Sequence, residues 1–343
     1  MCMPARWTMT ATTRPGSARG SGRSRFHSVR VRAPTDCGGA GLITFCTEGE
    51  TMLGFLKSEK ADIRVSVDKV GLPYYAGETI HATVALETES EVKVRSVRVA
   101  LVLWERYQYR ERDSDGDTST TWTTAEDALF SERLVGERTI PARFRESYKV
   151  DFRIPLDAVP PYAGKIVQNR WLVKAVMDRP MKKDISAEVE IPLIVPPPAE
   201  PGQSGEFGVC SHPDDADIKF MLPRLDWVEG EQVEGLVRVR PRKGFGASGV
   251  RLELVRTEYV PRGLGNTHSV TEAKVQLAGG KDFRPGMAED LPFSLAIPKQ
   301  GCPSRRTGRS VVTWTLKAAI TRRLAKDFTS HQEIWVHNGR AAM

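Results

Sequence analysis

Residues 171–184, WLVKAVMDRPMKKD, have a counterpart at residues 314–327, WTLKAAITRRLAKD. The matches share an offset of 143, and they are Trp171 with Trp314, Lys174 with Lys317, Ala175 with Ala318, Arg179 with Arg322 and the two closing Lys-Asp pairs. A single offset favours duplication of one structural plan. We therefore expect Trp171 and Trp314 to occupy equivalent buried sites, because equivalent aromatic residues in duplicated domains usually anchor equivalent cores.

A second group of matches precedes the first group in both copies, at an offset of 153. It consists of Gly77 with Gly230, Glu78 with Glu231, Val97 with Val250, Val99 with Leu252, Leu101 with Leu254 and Glu105 with Glu258. Because the two offsets differ by ten, the first copy contains ten more residues between the groups than the second copy does. The extra residues are predicted to lie between Tyr107 and Glu126, in QYRERDSDGDTSTTWTTA.

Apolar and polar residues alternate along much of the chain, beginning with ADIRVSVDKV at residues 61–70. Alternation with a period of two indicates half-buried β-strands, and Gly, Pro and charged residues separate the runs. About seven short strands in about 140 residues are typical of an antiparallel sandwich. The pattern restarts after residue 206. The sequence therefore predicts an all-β fold, with two tandem immunoglobulin-like antiparallel β-sandwiches.

Two segments interrupt the strand pattern. The first, residues 1–57, is rich in Arg, Ser, Thr and Gly and cannot bury enough apolar surface to offset its ordering entropy. We expect it to be disordered or artefactual; a transit-type peptide and a true start at Met52 are the alternatives. The second is a Pro/Gly-rich linker at 197–205. These segments set the predicted bounds of the sandwiches, 58–196 and 206–338.

The order of these elements resembles the arrestin family. The resemblance is carried by YYAGETIHATVAL at 74–86, VKVRSVRVALVLWERY at 92–107 and FRIPLDAVPPYAG at 152–164, which WLVKAVMDRP follows. The pattern is most similar to those of alpha-arrestins and bacterial sporulation-control proteins. The resemblance implies a non-enzymatic scaffold or adaptor that binds partner proteins. Two family features are not matched: the ligase-recruiting Pro-Pro-x-Tyr motif and the buried charge cluster that holds vertebrate arrestins inactive.

The sequence contains no recognised catalytic motif, so we expect no enzyme activity, no cofactor and no metal site. The five cysteines include no Cys-x-x-Cys spacing, and no histidine lies in a His-Glu-x-x-His motif. Asp113, Asp115 and Asp117 alternate as in a calcium loop, but Thr118 stands where an EF-hand loop requires Gly. A solvated hairpin tip is the better interpretation. A hydrolase on a β scaffold is a less favoured alternative.

The ten extra residues and their flanks carry the candidate partner-binding site. The chosen residues are Tyr107, Tyr109, Arg110, Arg112 and Trp122. Two strands that extend beyond the sheet would present them to a partner, and exposed aromatic residues and Arg are favoured interface anchors. The alternative is a disordered tip whose aromatic residues close the base of the hairpin.

Basic residues suggest a second site, for an anionic membrane surface. Residues 205–343 contain 21 basic and 16 acidic residues, whereas residues 52–204 contain 22 and 24. Such asymmetry can attract anionic lipid. The candidate contacts are Arg305, Arg306, Arg309, Arg322 and Arg323. Nucleic acid is not expected, because no aromatic stacking motif interleaves with these arginines. Without a membrane-length apolar run or a secretory signal, we expect a cytoplasmic protein.

Overall fold

The computed structural model describes residues 60–200, 202–323 and 325–340. These residues form β-strands and connections without an α-helix, so the predicted all-β fold class is confirmed. The predicted extension at residues 1–57 lies outside the described residues. Within the described part, no helix is long and apolar enough to cross a membrane. The described strands belong to one compact unit, Lys57–Met343.

Strands β1–β12 form the first half of the fold. Their bounds are β1 Ala61–Val67, β2 Tyr74–Tyr75, β3 Thr79–Thr88, β4 Val92–Val94, β5 Ser96–Arg112, β6 Thr118–Val135, β7 Arg138–Ile140, β8 Arg145–Arg153, β9 Tyr162–Ala163, β10 Val167–Asp178, β11 Ile185–Ile191 and β12 Leu193–Ile194. One sheet has the order β1-β3-β8, and the other has the order β11-β10-β5-β6 with β9 beside β10. Alternate residues of both sheets share one apolar core, because successive side chains of a strand point to opposite faces.

Strands β13–β24 form the second half in the same manner. Their bounds are β13 Gly205–Phe207, β14 Val209–Cys210, β15 Ala216–Leu222, β16 Asp226–Val228, β17 Gln232–Pro241, β18 Phe245–Val260, β19 Asn266–Ala278, β20 Lys281–Phe283, β21 Glu289–Ala296, β22 Arg305–Arg306, β23 Val311–Arg322 and β24 Phe328–His337. One sheet has the order β13-β15-β17-β21, and the other contains the path β14-β24-β23-β18-β19. The two sheets enclose a second apolar core.

Trp171 and Trp314 occupy equivalent buried positions, which confirms the expectation drawn from the repeat. Their exposed fractions are 2% and 0%. Each indole N–H donates to a backbone carbonyl, that of Val159 at 2.8 Å in the first half and that of Cys302 at 2.9 Å in the second. The two carbonyls belong to residues that are themselves related by the offset of 143. The connections that lead into β10 and β23 therefore take similar paths past the two indoles.

The ten extra residues lie at the tip of the β5–β6 hairpin, as the change of offset predicts. In this hairpin Glu105 faces Ala125, twenty positions further along the chain. In the corresponding β18–β19 hairpin, Glu258 faces His268, only ten positions further along. Beyond Glu105, the first hairpin is therefore ten residues longer than the second hairpin is beyond Glu258. The ten residues extend its two strands and do not form an irregular loop.

The apolar core of the second half extends into the first half. Its cluster includes residues of β5, of β9, of the β9–β10 connection and of the start of β10, and these are Tyr107, Tyr109, Tyr162, Ile166 and Val167. The junction between the halves is therefore apolar at its centre. Burial of such surface gives the junction a favourable hydrophobic contribution.

Candidate functional site

Part of the first predicted site, on the β5–β6 hairpin, is covered by the second half. Tyr107 and Tyr109 are only 5% and 7% exposed, so the expectation that they are exposed anchors is wrong. The guanidinium carbon of Arg262 lies 4.4 Å from the centroid of the Tyr109 ring, and its NH1 donates to the Tyr107 hydroxyl at 3.2 Å. The tyrosines are buried because the β5–β6 hairpin packs against the tip of the β18–β19 hairpin, which supplies Arg262.

Backbone contacts fasten the two hairpins together. The N–H of Leu264 donates to the carbonyl of Arg110 at 2.9 Å, and Nε of Arg110 donates to the carbonyl of Gly265 at 3.0 Å. Gly263 has a φ of 66°, and a Cβ there would lie 2.3 Å from the carbonyl oxygen of Arg110. Both the backbone conformation and the close approach therefore favour glycine at position 263.

The end of the β5–β6 hairpin stays accessible. Arg112 and the adjoining turn at 113–117 are exposed. Trp122 is half-buried, with the guanidinium carbon of Arg106 at 4.6 Å from its ring centroid. Of the predicted partner-binding residues, Arg110, Arg112 and Trp122 are thus accessible. Arg110 also holds the hairpin against the second half, as Tyr107 and Tyr109 do.

A buried carboxylate, Glu105 of β5, forms a second site at the junction between the halves. It is fully buried, and its carboxylate accepts hydrogen bonds from NH2 of Arg305 at 2.7 Å, from Oγ of Ser310 at 2.5 Å and from Oγ1 of Thr307 at 3.0 Å. All three donors belong to the second half. Glu105 therefore ties β5 to the segment at 305–310, about two hundred residues away in sequence.

The structure corrects the surface role predicted for Arg305. Its side chain is fully buried, and this burial lowers the pKa of its guanidinium. The negative charge of Glu105 partly offsets this lowering of the pKa. Arg309 lies at the rim of the same site, where its NH2 donates to Oδ1 of Asp127 at 2.8 Å. That hydrogen bond holds the pKa of Asp127 below its usual value. The charges of Arg305 and Arg309 are therefore balanced within the chain.

The other arginines of the predicted anionic surface lie apart from one another. Arg306 is exposed, and its NH2 lies 3.8 Å from Glu333. Arg322 ends β23, a strand of 12 residues, which is about 40 Å long at the usual rise. Its guanidinium packs 4.3 Å from the Phe328 ring centroid, and Arg323 beyond it is exposed. The prediction that all five arginines form a single basic surface is therefore wrong. A contact between anionic lipid and the end of β23 that carries Arg322 stays a prediction.

Glu258 of β18, the counterpart of Glu105 in the repeat, is also fully buried but is bound in a different way. Its carboxylate accepts hydrogen bonds from three consecutive backbone N–H groups, those of residues 165–167, at 3.0, 2.8 and 3.1 Å. Gly164 precedes them, and a Cβ at this position would lie 2.5 Å from Oε1 of Glu258. The turn can approach the carboxylate this closely only because residue 164 has no side chain.

Arg256 completes the network around Glu258. Its NH1 donates to Oε1 of Glu258 at 2.8 Å and to the hydroxyl of Tyr162 at 2.5 Å, and its Nε donates to Glu272 at 2.8 Å. Burial, together with the negative charge of Glu258, raises the pKa of Tyr162. The phenol therefore remains protonated and accepts a charge-assisted hydrogen bond from the arginine.

The two carboxylates reach across the junction in opposite directions. Glu105 of the first half binds the segment 305–310 of the second half, and Glu258 of the second half binds the turn 164–167 of the first half. The sequence contains one signal for this arrangement. Glu105 continues the series of buried alternate residues in β5, and an acidic residue on a buried face requires partners.

These groups act as structural ties. The described ranges contain no group of three or more His, Cys, Asp and Glu residues placed to hold a metal ion. In the acidic turn, the carboxylate of Asp113 accepts hydrogen bonds from the backbone N–H groups of Asp115 and Asp117, at 3.1 and 2.8 Å. That carboxylate therefore caps its own turn, in the way Asp commonly does.

Comparison with known families agrees with the fold. Residues 57–198 match the family model described as arrestin (or S-antigen), C-terminal domain. The matched range contains the whole of the first half, β1–β12. The resemblance predicted from the sequence is confirmed by this match over residues 57–198, without assignment to a subtype. A search of curated proteins found no match.

Proposed function

We propose that this chain, whose residues 57–198 match the arrestin family model, is a non-enzymatic adaptor or scaffold for partner proteins. Arrestin-like domains generally have this kind of role. The observation that carries the proposal is the reciprocal pair of buried carboxylates, Glu105 and Glu258. Each carboxylate accepts hydrogen bonds from the opposite half, and the pair therefore holds the two halves in one arrangement. A rigid support of this kind is what a binding element needs in order to be presented in a defined position.

We infer that the partner-binding element is the exposed end of the β5–β6 hairpin, made of Arg112, the turn 113–117 and Trp122. Three other residues of the predicted site anchor this end on the second half, and they are Tyr107, Tyr109 and Arg110. An anchored hairpin loses less conformational entropy on binding than a free loop does, which favours affinity.

The test removes the end of the hairpin and keeps its anchor. Because Arg110 faces Thr120 across the ladder, residues 111–119 can be replaced by Asn-Gly, the preferred sequence of a two-residue hairpin turn. We expect unchanged thermal unfolding and loss of the proteins that co-purify with the native chain from its own lysate. Thermal unfolding and capture are measured on the same preparations.

The matched control is the full-length hairpin with Glu137→Gln, a change at an exposed position of the connection between β6 and β7, outside the proposed element. It should capture the same proteins as the native chain. Capture that survives in the shortened hairpin would contradict the proposed element. A lower melting temperature of the shortened protein would instead show that the end of the hairpin stabilises the fold.

We also propose the domain bounds predicted from the sequence, 58–196 and 206–338 with a linker at 197–205, and a cytoplasmic location. The bounds are supported by the end of β12 at Ile194 and the start of β13 at Gly205. A role in bacterial regulation, such as sporulation control, is proposed from the similarity of the sequence pattern alone.

A further inference from the structure

Strand β6 is an open edge of the first half. In the part of the chain that the structure describes, β6 pairs with β5 on one side and with no strand on the other. An edge of this kind presents a row of backbone N–H and C=O groups that another strand can pair with. Its first three residues, 118–120, are exposed, and the residues at 121–123 are half-buried.

The part of β6 that follows the hairpin turn lacks the usual protection of an edge strand. Residues 118–124, TSTTWTT, include no charged residue, no Pro and no Gly, and both Thr and Trp favour strands. Natural edge strands are commonly blunted by charge, Pro or β-bulges. The irregularities of the β5–β6 ladder lie at its far end, next to Leu101 and Val97. The corresponding edge strand, β19, carries Glu272 and Lys274.

A second copy of the same edge is complementary to this segment. Antiparallel pairing of two identical strands about Thr121 places Ser119 opposite Thr123 and Thr120 opposite Trp122. No charged residues face each other within residues 118–124. Cross-strand pairs of Thr with Thr and of an aromatic with a β-branched residue are favourable. The pairing is two-fold symmetric, since each copy offers the same strand edge to the other. The backbone hydrogen-bonding groups of both edges are therefore paired at the same time.

We propose that two copies of this chain associate through antiparallel pairing of residues 118–124, which joins the sheet β11-β10-β5-β6 of one copy to that of the other. Pairing of one edge with itself closes at two copies and leaves no further edge of this kind free. Seven paired residues bury less than a standard interface of about 1,600 Å², so the dimer should be weak and depend on concentration. The proposal goes beyond the adaptor role and does not require it, and Trp122 belongs to both the paired segment and the inferred partner-binding element.

Sedimentation velocity of the full chain over a wide range of concentration tests the proposal. The native chain should change from monomer to dimer as its concentration rises. Thr121→Lys places two ammonium groups opposite each other on the two-fold axis, and like charges in that position are destabilising. We expect at least a tenfold rise in the dimer dissociation constant, and Thr121→Glu should have the same effect. An equimolar mixture of the two variants should form a dimer again, because Lys and Glu then meet across the axis.

The matched control is Thr267→Lys, on the corresponding edge strand of the second half. Thr267 faces Tyr259 in the β18–β19 ladder, as Thr121 faces Tyr109 in the β5–β6 ladder. This variant should dimerise like the native chain. Thermal unfolding of each variant separates loss of the dimer from loss of the fold. If Lys at position 121 lowers the melting temperature, Ser119→Lys tests the pairing from an exposed position, because a charged side chain on an edge strand opposes pairing with another strand.

Three results would each overturn the proposal. They are a native chain that is monomeric at every concentration, a folded Thr121→Lys variant that dimerises like the native chain, and folded Lys and Glu variants whose mixture stays monomeric. Capture of partner proteins is measured on the same Thr121→Lys sample. A monomer that still captures them separates this proposal from the adaptor role, since each can then fail without the other.

Discussion

The two buried carboxylates occupy the same position in the repeated plan, yet different kinds of donor hold them. Glu105 is bound by the side chains of Arg305, Thr307 and Ser310. Glu258 accepts hydrogen bonds from three backbone N–H groups of the turn in the first half. It also accepts one from the side chain of Arg256, which belongs to its own half. In the repeat, Thr307 stands where the other turn has Gly164. The hydroxyl of Thr307 donates a hydrogen bond to Glu105. At the equivalent position, Gly164 has no side chain, and the backbone can therefore approach Glu258.

This difference shows two ways of satisfying a buried charge. The Glu105 site depends on the identity of several side chains, so a substitution can remove one donor and leave the others in place. The Glu258 site depends on the path of the backbone, and that path depends on Gly164 having no side chain. The two sites should therefore respond differently to mutation, although both join the same two halves.

The largest effect is expected for Glu105→Ala. This change leaves Arg305 buried without its counter-ion, and Nε and NH1 of Arg305 already have no hydrogen-bond partner among the described residues. Leaving one partner of a buried ion pair uncompensated costs about 3–5 kcal/mol. Equilibrium unfolding in urea should show a loss of this size in the free energy of unfolding.

The double variant Glu105→Leu with Arg305→Met is the control. It removes both charges and fills the site with apolar side chains of similar length, which is often neutral or stabilising. Most of the stability that Glu105→Ala loses should return. If Glu105→Ala unfolds at the same urea concentration as the native chain, the carboxylate does not stabilise the junction.

An intermediate effect is expected for Gly164→Ala. The added Cβ would lie 2.3 Å from Cε1 of Tyr162 and 2.5 Å from Oε1 of Glu258, so the turn must move away from the carboxylate. Overpacking of this kind costs about 1–3 kcal/mol. At the equivalent position, Thr307→Ser keeps the hydroxyl donor and should cost less than about 1 kcal/mol, the value of one buried methylene group. Urea unfolding of both variants gives the order, and the reverse order would contradict the comparison.

The smallest effect is expected for Asp127→Asn at the rim of the Glu105 site. Asp127 and Arg309 are 40% and 34% exposed, and exposed ion pairs contribute about 0–1 kcal/mol. Because Arg309 lowers the pKa of Asp127, the pair stabilises the fold fully at pH values above 3.8, the ordinary pKa of an Asp carboxyl group. That contribution is lost as the pH falls through the lower pKa of the folded state.

Urea unfolding between neutral pH and about pH 3 therefore tests the sign of this effect. The native chain should be slightly more stable than Asp127→Asn at neutral pH, and the difference should shrink in acid. High salt should also reduce the difference at neutral pH, since exposed charges are screened. A difference that grows as the pH falls would contradict the assignment.

The fold was predictable because local patterns determine most of it. Alternation of apolar residues marks the strands, and the offsets of 143 and 153 placed Trp171 and Trp314 in equivalent cores and the ten extra residues in the first hairpin. These features depend on neighbours along one strand or on the order of strands, both of which can be read from the chain. The family resemblance rests on the same order of elements.

The candidate site was only partly predictable. Arg112 and Trp122 are accessible as expected, but Tyr107 and Tyr109 are buried and Arg305 is fully enclosed. An aromatic or basic residue near a hairpin end gives the same pattern in sequence whether it meets solvent or another part of the chain. The pattern identifies a polar tip and does not identify the surface against which that tip packs.

The sequence by itself determined which residues form strands, which side chains share a face of each strand and that two stretches follow one plan. Only the tertiary structure decided which of those faces meet each other. Glu105 and Arg305 are separated by 200 positions, and Glu258 lies more than ninety positions from the backbone donors that it binds. Strand periodicity carries no information over such distances, because it records the alternation of faces along one strand. Partners at the junction are chosen instead by how the two halves pack, with each buried charge requiring a donor from the other side.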